Sequence, residues 1–150
     1  MPDDSRIRTI LMVDDDPDDC TLVRDAMLEI GAVHDLRFAC DGEELFEYLE
    51  RRGRFAGPDM APRPDLILLD LQMPRKNGRE SLRQLKADPA WRRIPVVVLT
   101  TSSAAADVNY AYEMGVNTYV PKPPTFRTLV EAVRLLTQYW FELAQTPKTH

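Results

Sequence analysis

The chain has 150 residues, of which 44% are hydrophobic, and a formal net charge of −5 at pH 7. This length and apolar content predict one soluble domain with its own core. The negative charge and the scattered basic residues argue against a nucleic-acid-binding surface.

Cysteine content and the absence of apolar segments indicate the compartment. Two cysteines, Cys20 and Cys40, are too few for a disulfide framework, and we predict small core thiols in a reducing cytosol. The N-terminal residues are acidic, without an apolar run of signal-peptide length, and no segment is apolar enough to span a bilayer. We therefore expect a cytoplasmic protein with no membrane partner.

Hydrophobic runs and breaker residues alternate regularly along the first half of the chain. A strand at residues 7–13 leads into a helix that Asp16 caps and Gly31 ends. The first turn of this helix carries the favourable charges of Asp18 and Asp19, and its apolar stripe consists of Leu22, Val23, Ala26, Met27 and Ile30. A second strand at 36–40 precedes a second helix. The proline- and glycine-rich segment 51–64 is predicted to be a surface loop, because another strand follows it.

The second half of the chain continues this alternation. An all-aliphatic strand at 66–69 ends on Asp70, and a turn at 73–78 and a helix to about residue 88 follow. Further elements are predicted at 95–99 (strand), 104–114 (helix), 118–120 (strand) and, after a Thr125 cap, up to about residue 144 (helix). Five βα units with short connections predict an α/β fold, a doubly wound parallel sheet with helices on both faces.

Polar side chains follow four of the five predicted strands. Asp14, Asp15 and Asp16 follow the first strand, Asp70 the third, Thr100 and Thr101 the fourth, and Lys122 the fifth. Because the carboxyl ends of parallel strands meet at one sheet edge, where α/β proteins bind their ligands, we expect these side chains to converge there.

This combination of groups predicts phosphoryl-transfer chemistry. Clustered carboxylates repel one another unless a cation neutralises them, and Mg²⁺ prefers one or two carboxylates together with waters and phosphate oxygens. A lysine then pairs with an anionic group, and a threonine hydroxyl can donate to it. Because no serine, cysteine or histidine is suitably placed, the nucleophile is predicted to be a carboxylate, which gives an aspartyl phosphate.

At this point the chain resembles the receiver domain of two-component response regulators. The matching segments are Val13-Asp14-Asp15, residues 69–74 with Gly78, Leu99-Thr100-Thr101 and residues 119–123. The resemblance covers essentially the whole chain, as one receiver domain with its core at about 6–144. It implies a five-stranded, flavodoxin-like (βα)5 sheet with strand order 2-1-3-4-5. Because the receiver domain accounts for the whole chain, no effector domain is expected. The signal is then expected to pass on through protein contact, phosphorelay or dimerisation.

The resemblance also implies a role for each matching residue. Asp70 is the expected phosphoacceptor, and a sensor histidine kinase is expected to supply the phosphoryl group. The protein is expected to be a signalling protein rather than an enzyme. The implied Mg²⁺ ligands are Asp15 and Asp70 directly, Asp14 through water, and the Gln72 backbone carbonyl. Lys122 is expected to neutralise a phosphoryl oxygen, while Thr100 moves toward the phosphate and Tyr119 swings inward behind it.

Several positions depart from the commonest receiver pattern or leave the kinetics open. Thr101 stands where a smaller residue is frequent, and Pro124 where an aromatic is often found. Gln72 and Ser102 occupy positions that tune phosphoryl lifetime in the family, so this lifetime is not predicted. The Lys122–Pro123 peptide bond is expected to be cis, as the family suggests.

A finer resemblance points to the kinase. The proline-bearing segment 61–65, the run at 93–102 and the aromatic C-terminal helix resemble the small single-domain regulators partnered with phytochrome-type histidine kinases. The upstream signal would then be red or far-red light.

The last helix suggests a homodimer. Its predicted core-facing stripe consists of Leu129, Val133, Leu136 and Trp140, and further apolar residues, among them Tyr139, Phe141 and Leu143, remain beyond it. We predict a dimer through the fourth helix, fifth strand and fifth helix. The candidate contact residues are Tyr110, Tyr139, Trp140 and Phe141. The alternative is that the end of this helix folds over its own domain.

Two other functions fit parts of the pattern. In a haloacid-dehalogenase-type phosphatase, Asp14 would be the nucleophile and Asp16 the acid/base, but the chain is short for that fold and Pro17-Asp18 do not match its pattern. A phosphorylation-independent protein-binding module on a receiver fold is the second alternative. Such modules usually lose an acid, lysine or hydroxyl position, and none is lost here.

Overall fold

Five parallel strands form one sheet in the order β2-β1-β3-β4-β5. The computed structural model describes residues 7–73 and 77–147. The strands are β1 (Thr9–Val13), β2 (Asp35–Ala39), β3 (Leu66–Leu69), β4 (Val96–Thr100) and β5 (Thr118–Pro121). The predicted doubly wound α/β sheet and its strand order are confirmed.

Five α-helices and two shorter helical segments accompany the strands in the described part of the chain. They are α1 (Pro17–Glu29), α2 (Gly42–Glu50), α3 (Gly78–Ala87), α4 (Ala105–Glu113) and α5 (Phe126–Thr137), with a 3₁₀ turn at Gly53–Phe55 and a π-helix at Gln138–Leu143. Side chains of Asp16, Asp41, Asn77 and Thr125 accept backbone N–H groups at the starts of α1, α2, α3 and α5, as N-caps do.

Two apolar layers fill the space on either side of the sheet. Alternate β1 residues point to opposite faces, so Leu11 packs in the layer that contains α2 to α4, and Met12 in the layer that contains α1 and α5. Every residue of β1, β3 and β4 is buried, whereas the edge strands β2 and β5 are mostly half-buried. The sheet edge that follows β1, β3 and β4 is therefore held on a rigid base.

The C-terminal helix differs most from its prediction. It does not continue as an α-helix to residue 144, because a π-helix replaces the α-helix after Thr137. The Thr137 hydroxyl donates to the carbonyl oxygens of Val133 and Arg134 at the junction, and such bonds compete with the helix ladder. The Ala144 N–H donates to the Tyr139 carbonyl, five residues earlier, over 2.6 Å.

This change corrects part of the predicted dimer surface. Trp140 and Phe141 are 9% and 5% exposed, so neither is available as apolar surface. The longer π-helical turn lets both neighbouring rings face their own domain. The Phe141 ring packs 4.7 Å from His34 and lies 5.5 Å from the Arg8 guanidinium. Tyr139 is 50% exposed, as predicted.

Three smaller expectations are also wrong. The Lys122–Pro123 bond is trans. Of the two predicted core thiols, Cys40 is exposed because it follows the end of an edge strand, whereas Cys20 is half-buried and packs against the core layer of α1 and α5. Leu22, predicted in the apolar stripe of α1, is 40% exposed. Among the described residues, no helix is both long and apolar enough to cross a membrane.

Phe141→Ala is expected to lower the free energy of unfolding by about 3–5 kcal/mol, because it removes a buried ring from the core. Tyr139→Ala should cost about 1 kcal/mol or less, since half of that side chain is already in water. Urea unfolding at low protein concentration measures both. Equal losses in the two variants would contradict the burial of Phe141 within one chain.

Candidate functional site

The carboxyl ends of β1 and β3 bring three acidic residues together. Asp14 and Asp15 directly follow β1, and Asp70 directly follows β3. The Asp14 N–H donates to the Ala39 carbonyl and the Asp70 N–H to the Val13 carbonyl, each over 3.0 Å, so the ladder extends past the strand ends and fixes both residues. The predicted convergence at one sheet edge is therefore present.

The three carboxylates are close enough to share one cation. One oxygen from each of Asp14, Asp15 and Asp70 lies within 4.8 Å of the others. Asp14 and Asp70 are buried, at 3% and 5% exposure, whereas Asp15 lies at the exposed rim. An all-oxygen donor set with two buried acids and one open side fits a hard divalent cation that retains waters.

Burial makes this cluster electrostatically costly. Loss of hydration raises the pKa of Asp14 to about 6, although Lys122 and the Asp16 N–H both favour its charged form. The Asp16 N–H donates to Asp14 Oδ1 over 2.9 Å. The protein alone does not supply enough positive charge to offset the burial of Asp14, which is the condition that favours binding a cation.

Lys122 is the cation that the chain itself supplies. The Lys122 backbone N–H donates to the Thr100 carbonyl over 2.7 Å, which fixes the Lys122 backbone beside β4. Its Nζ lies 2.6 Å from Asp19 Oδ2, 2.8 Å from Asp14 Oδ2 and 3.5 Å from Asp70 Oδ2. Burial lowers the pKa of Lys122, but these carboxylates raise it by more, so the amine is held charged. Asp19 was predicted only as a favourable charge in the first turn of α1.

Thr100 lies beside Asp70, and Tyr119 lies behind the loop that follows Thr100. The fully buried Thr100 hydroxyl donates to Asp70 Oδ1 over 2.8 Å, and the Gln72 N–H donates to the same oxygen over 3.1 Å. The Tyr119 hydroxyl donates to the Ser102 carbonyl over 2.8 Å, so its ring lies inward, behind the loop that follows Thr100. The expected role of the Gln72 carbonyl as a metal ligand stays a prediction.

A further polar cluster ties this loop to α3 and α4, and the sequence interpretation missed it. The buried Asp107 carboxylate accepts from the Ser102 hydroxyl over 2.5 Å and pairs with the Arg79 guanidinium. These hydrogen bonds lower the pKa of Asp107. The Tyr110 hydroxyl donates to the Arg79 carbonyl over 3.2 Å, so this half-buried tyrosine is partly engaged within its own chain. An acid at the third position of a helix is common at a helix N-terminus, which is why Asp107 gave no sequence signal.

Other predicted residues lie apart from the acids. The Asp16 side chain accepts the Asp18 N–H over 2.9 Å and so serves as the N-cap of α1, not as a partner of Asp14. Tyr139, Trp140 and Phe141 belong to the π-helix beyond the far end of α5. Of the turn predicted at 73–78, residues 74–76 lie outside the described residues.

Comparison with family models decides the family. The model of the response regulator receiver domain matches residues 10–134. The chain belongs to this family. Receiver domains are signalling modules that bind a divalent metal, and a histidine kinase is the partner that the family implies. The acidic triad at the ends of β1 and β3 fits such a metal.

The most similar proteins include phytochrome response regulators. Response regulator Rcp1 of Synechocystis sp. is 38% identical over 140 residues, 93% of each chain. The crystal structure of its Mn²⁺-bound form matches with a TM-score of 0.84, covering 94% of this chain and 99% of Rcp1. Phosphorylated RcpA, a cyanobacterial phytochrome response regulator, has a TM-score of 0.87 at 37% identity, covering 95% of this chain and 100% of RcpA. RPA3017, from red light signalling of R. palustris, has a TM-score of 0.89 at 37% identity, with the same coverage.

Gly78→Ala is expected to destabilise the loop that carries Asp70. A Cβ at Gly78 would lie 2.1 Å from the Asp70 carbonyl oxygen and 2.4 Å from the Leu71 Cα, and backbone atoms cannot turn aside as a side chain can. The free energy of unfolding should fall by about 1–3 kcal/mol or more. Gly57→Ala is the control, because its Cβ meets only the flexible Met60 side chain. Urea unfolding that gave the same value for both variants would contradict the close approach at Gly78.

Proposed function

We propose that Asp70 accepts a phosphoryl group from a phosphohistidine of a sensor histidine kinase. The observation that carries this proposal is the set of partners around Asp70. One buried carboxylate has a donor hydroxyl, a charged amine and two further carboxylates within reach. An Asp70 oxygen forms the new O–P bond while the donor's P–N bond breaks and the imidazole nitrogen leaves with the electron pair.

The surrounding residues have distinct proposed roles. Asp14, Asp15, Asp70 and the Gln72 carbonyl would hold Mg²⁺, which when bound neutralises charge on the transferring phosphoryl oxygens. Lys122 supplies positive charge from the β5 side, since its ammonium already lies 3.5 Å from Asp70. The Thr100 hydroxyl, now directed at Asp70, is placed to donate to a phosphoryl oxygen instead.

We also propose a phytochrome-type kinase as the partner, acting in the cytoplasm. Rcp1-like regulators align with this chain over nearly their whole length, and RcpA and RPA3017 are named for phytochrome and red light signalling. The support for this partner is the full-length likeness to these regulators. The kinase itself would contact only a part of the surface.

A homodimer through α4, β5 and α5 is the proposed assembly. Exposed apolar side chains on α5 and the π-helix support it. Leu135 on α5 and Tyr139 at the start of the π-helix are both at least half exposed. Tyr112 adds an exposed ring on α4. The proposal no longer includes Trp140 or Phe141, which are buried within the chain.

Incubation with acetyl phosphate and Mg²⁺ is expected to add the mass of one phosphoryl group to the intact protein. The adduct should be absent without Mg²⁺ and absent in Asp70→Asn, which keeps the side-chain size but removes the nucleophilic carboxylate. Intact-mass spectrometry measures both.

Asp16→Asn serves as the matched acid variant, because Asp16 only caps α1. It should still be phosphorylated, whereas a dehalogenase-type phosphatase would lose turnover with Asp14→Asn or Asp16→Asn and keep it with Asp70→Asn. No adduct and no beryllofluoride binding in the wild type would favour the phosphorylation-independent binding module.

Tyr139→Asp is expected to shift the protein toward monomer at tens of micromolar, because a charge replaces an exposed apolar contact at the proposed interface. Met60→Asp, at an exposed apolar residue in the segment between α2 and β3, is the control and should leave the dimer intact. Sedimentation velocity reports the oligomeric state, and a monomeric wild type, phosphorylated or not, would exclude this assembly.

A further inference from the structure

The shortest contact of the Lys122 ammonium is to a carboxylate outside the acidic triad. Lys122 Nζ lies 2.6 Å from Asp19 Oδ2 but 3.5 Å from Asp70 Oδ2. Asp19 lies in the first turn of α1, 103 residues away in sequence. The amine that the proposed phosphoryl transfer requires is therefore bound mainly to Asp19 and Asp14 in this structure.

The two shorter contacts differ in how easily they can be given up. The Asp14 side chain is 1% exposed, so without Lys122 its charge would lose a partner that water cannot replace. The Asp19 side chain is 28% exposed, so water can solvate its carboxylate when the amine leaves. Asp19 is therefore the partner that Lys122 can exchange at least cost.

We propose that Asp19 is a positioning residue that holds Lys122 away from Asp70 and so slows phosphorylation. The inference rests on the proposed function of Asp70. An incoming phosphoryl group carries negative charge and competes with Asp19 for the same amine. As the phosphoryl group is attached, Lys122 moves from Asp19 toward Asp70, and the Asp19 carboxylate on α1 is left to solvent.

A helix-stabilising role of Asp19 is the alternative explanation, and a neighbouring residue separates the two. Asp18 and Asp19 both lie in the first turn of α1, where acids interact favourably with the helix dipole. Asp18 is exposed, and no described ion pair includes it. Asp18→Asn removes the same charge from the same turn without touching Lys122, so it is the matched control for Asp19→Asn.

The experiment measures the initial rate of phosphorylation by acetyl phosphate at saturating Mg²⁺, by intact mass. Asp19→Asn should be phosphorylated about two- to fivefold faster than the wild type and than Asp18→Asn, which is the ratio that one partly exposed ion pair is worth. Asp19→Glu, which retains the charge, should return the rate toward that of the wild type. Beryllofluoride should bind Asp19→Asn more tightly by a similar factor, as measured by calorimetry.

A double-mutant cycle with Lys122→Ala shows whether the effect passes through the lysine. The acceleration by Asp19→Asn should disappear in the Lys122→Ala background, whereas a purely structural effect of Asp19 would persist there. If the wild type is phosphorylated but Asp19→Asn is phosphorylated no faster than Asp18→Asn, the inference about Asp19 is overturned and the proposed function stands. A wild type that takes up no phosphoryl group overturns the proposed function as well, so the two failures are distinguishable.

Discussion

Repulsion among carboxylates at one sheet edge is the constraint on which the rest of the site depends. Backbone bonds to Ala39 on β2 and to Val13 on β1 fix Asp14 and Asp70 beside each other, with oxygens of Asp14, Asp15 and Asp70 within 4.8 Å. Two of these acids are buried, so separation and hydration cannot relieve the repulsion. Lys122 offsets only part of it, which leaves the site suited to gain a cation and then an anion that bridges cation and lysine.

The hydroxyl side of the site connects this charge balance to the surface helices. Thr100 donates to Asp70, and two residues later the Ser102 carbonyl accepts from Tyr119 while the Ser102 hydroxyl donates to Asp107. Asp107 in turn pairs with Arg79 on α3. A rearrangement of Thr100 around a phosphoryl group would therefore disturb partners on β5, α3 and α4 together, because one short loop holds them all.

The sequence predicted what local patterns control and missed what distant contacts control. Strand ends, caps and the acid, lysine and hydroxyl positions follow from runs of neighbouring residues, and the structure places Asp70, Thr100 and Lys122 together as predicted. The Asp19–Lys122 and Arg79–Asp107 pairs join residues 103 and 28 positions apart, and no spacing rule reports such pairs. The π-helix that buries Phe141 was also missed, because a regular α-helical period was assumed throughout.

The course of α5 links the two ends of the sheet. Its cap, Thr125, comes three residues after Lys122 at the acidic edge, and its far end continues into the π-helix. There Phe141 packs against His34 and Arg8, which directly precede β2 and β1. These are the amino ends of the strands, opposite the edge that holds the acids. One end of the helix thus follows the lysine loop, while the other is fixed by buried aromatic side chains.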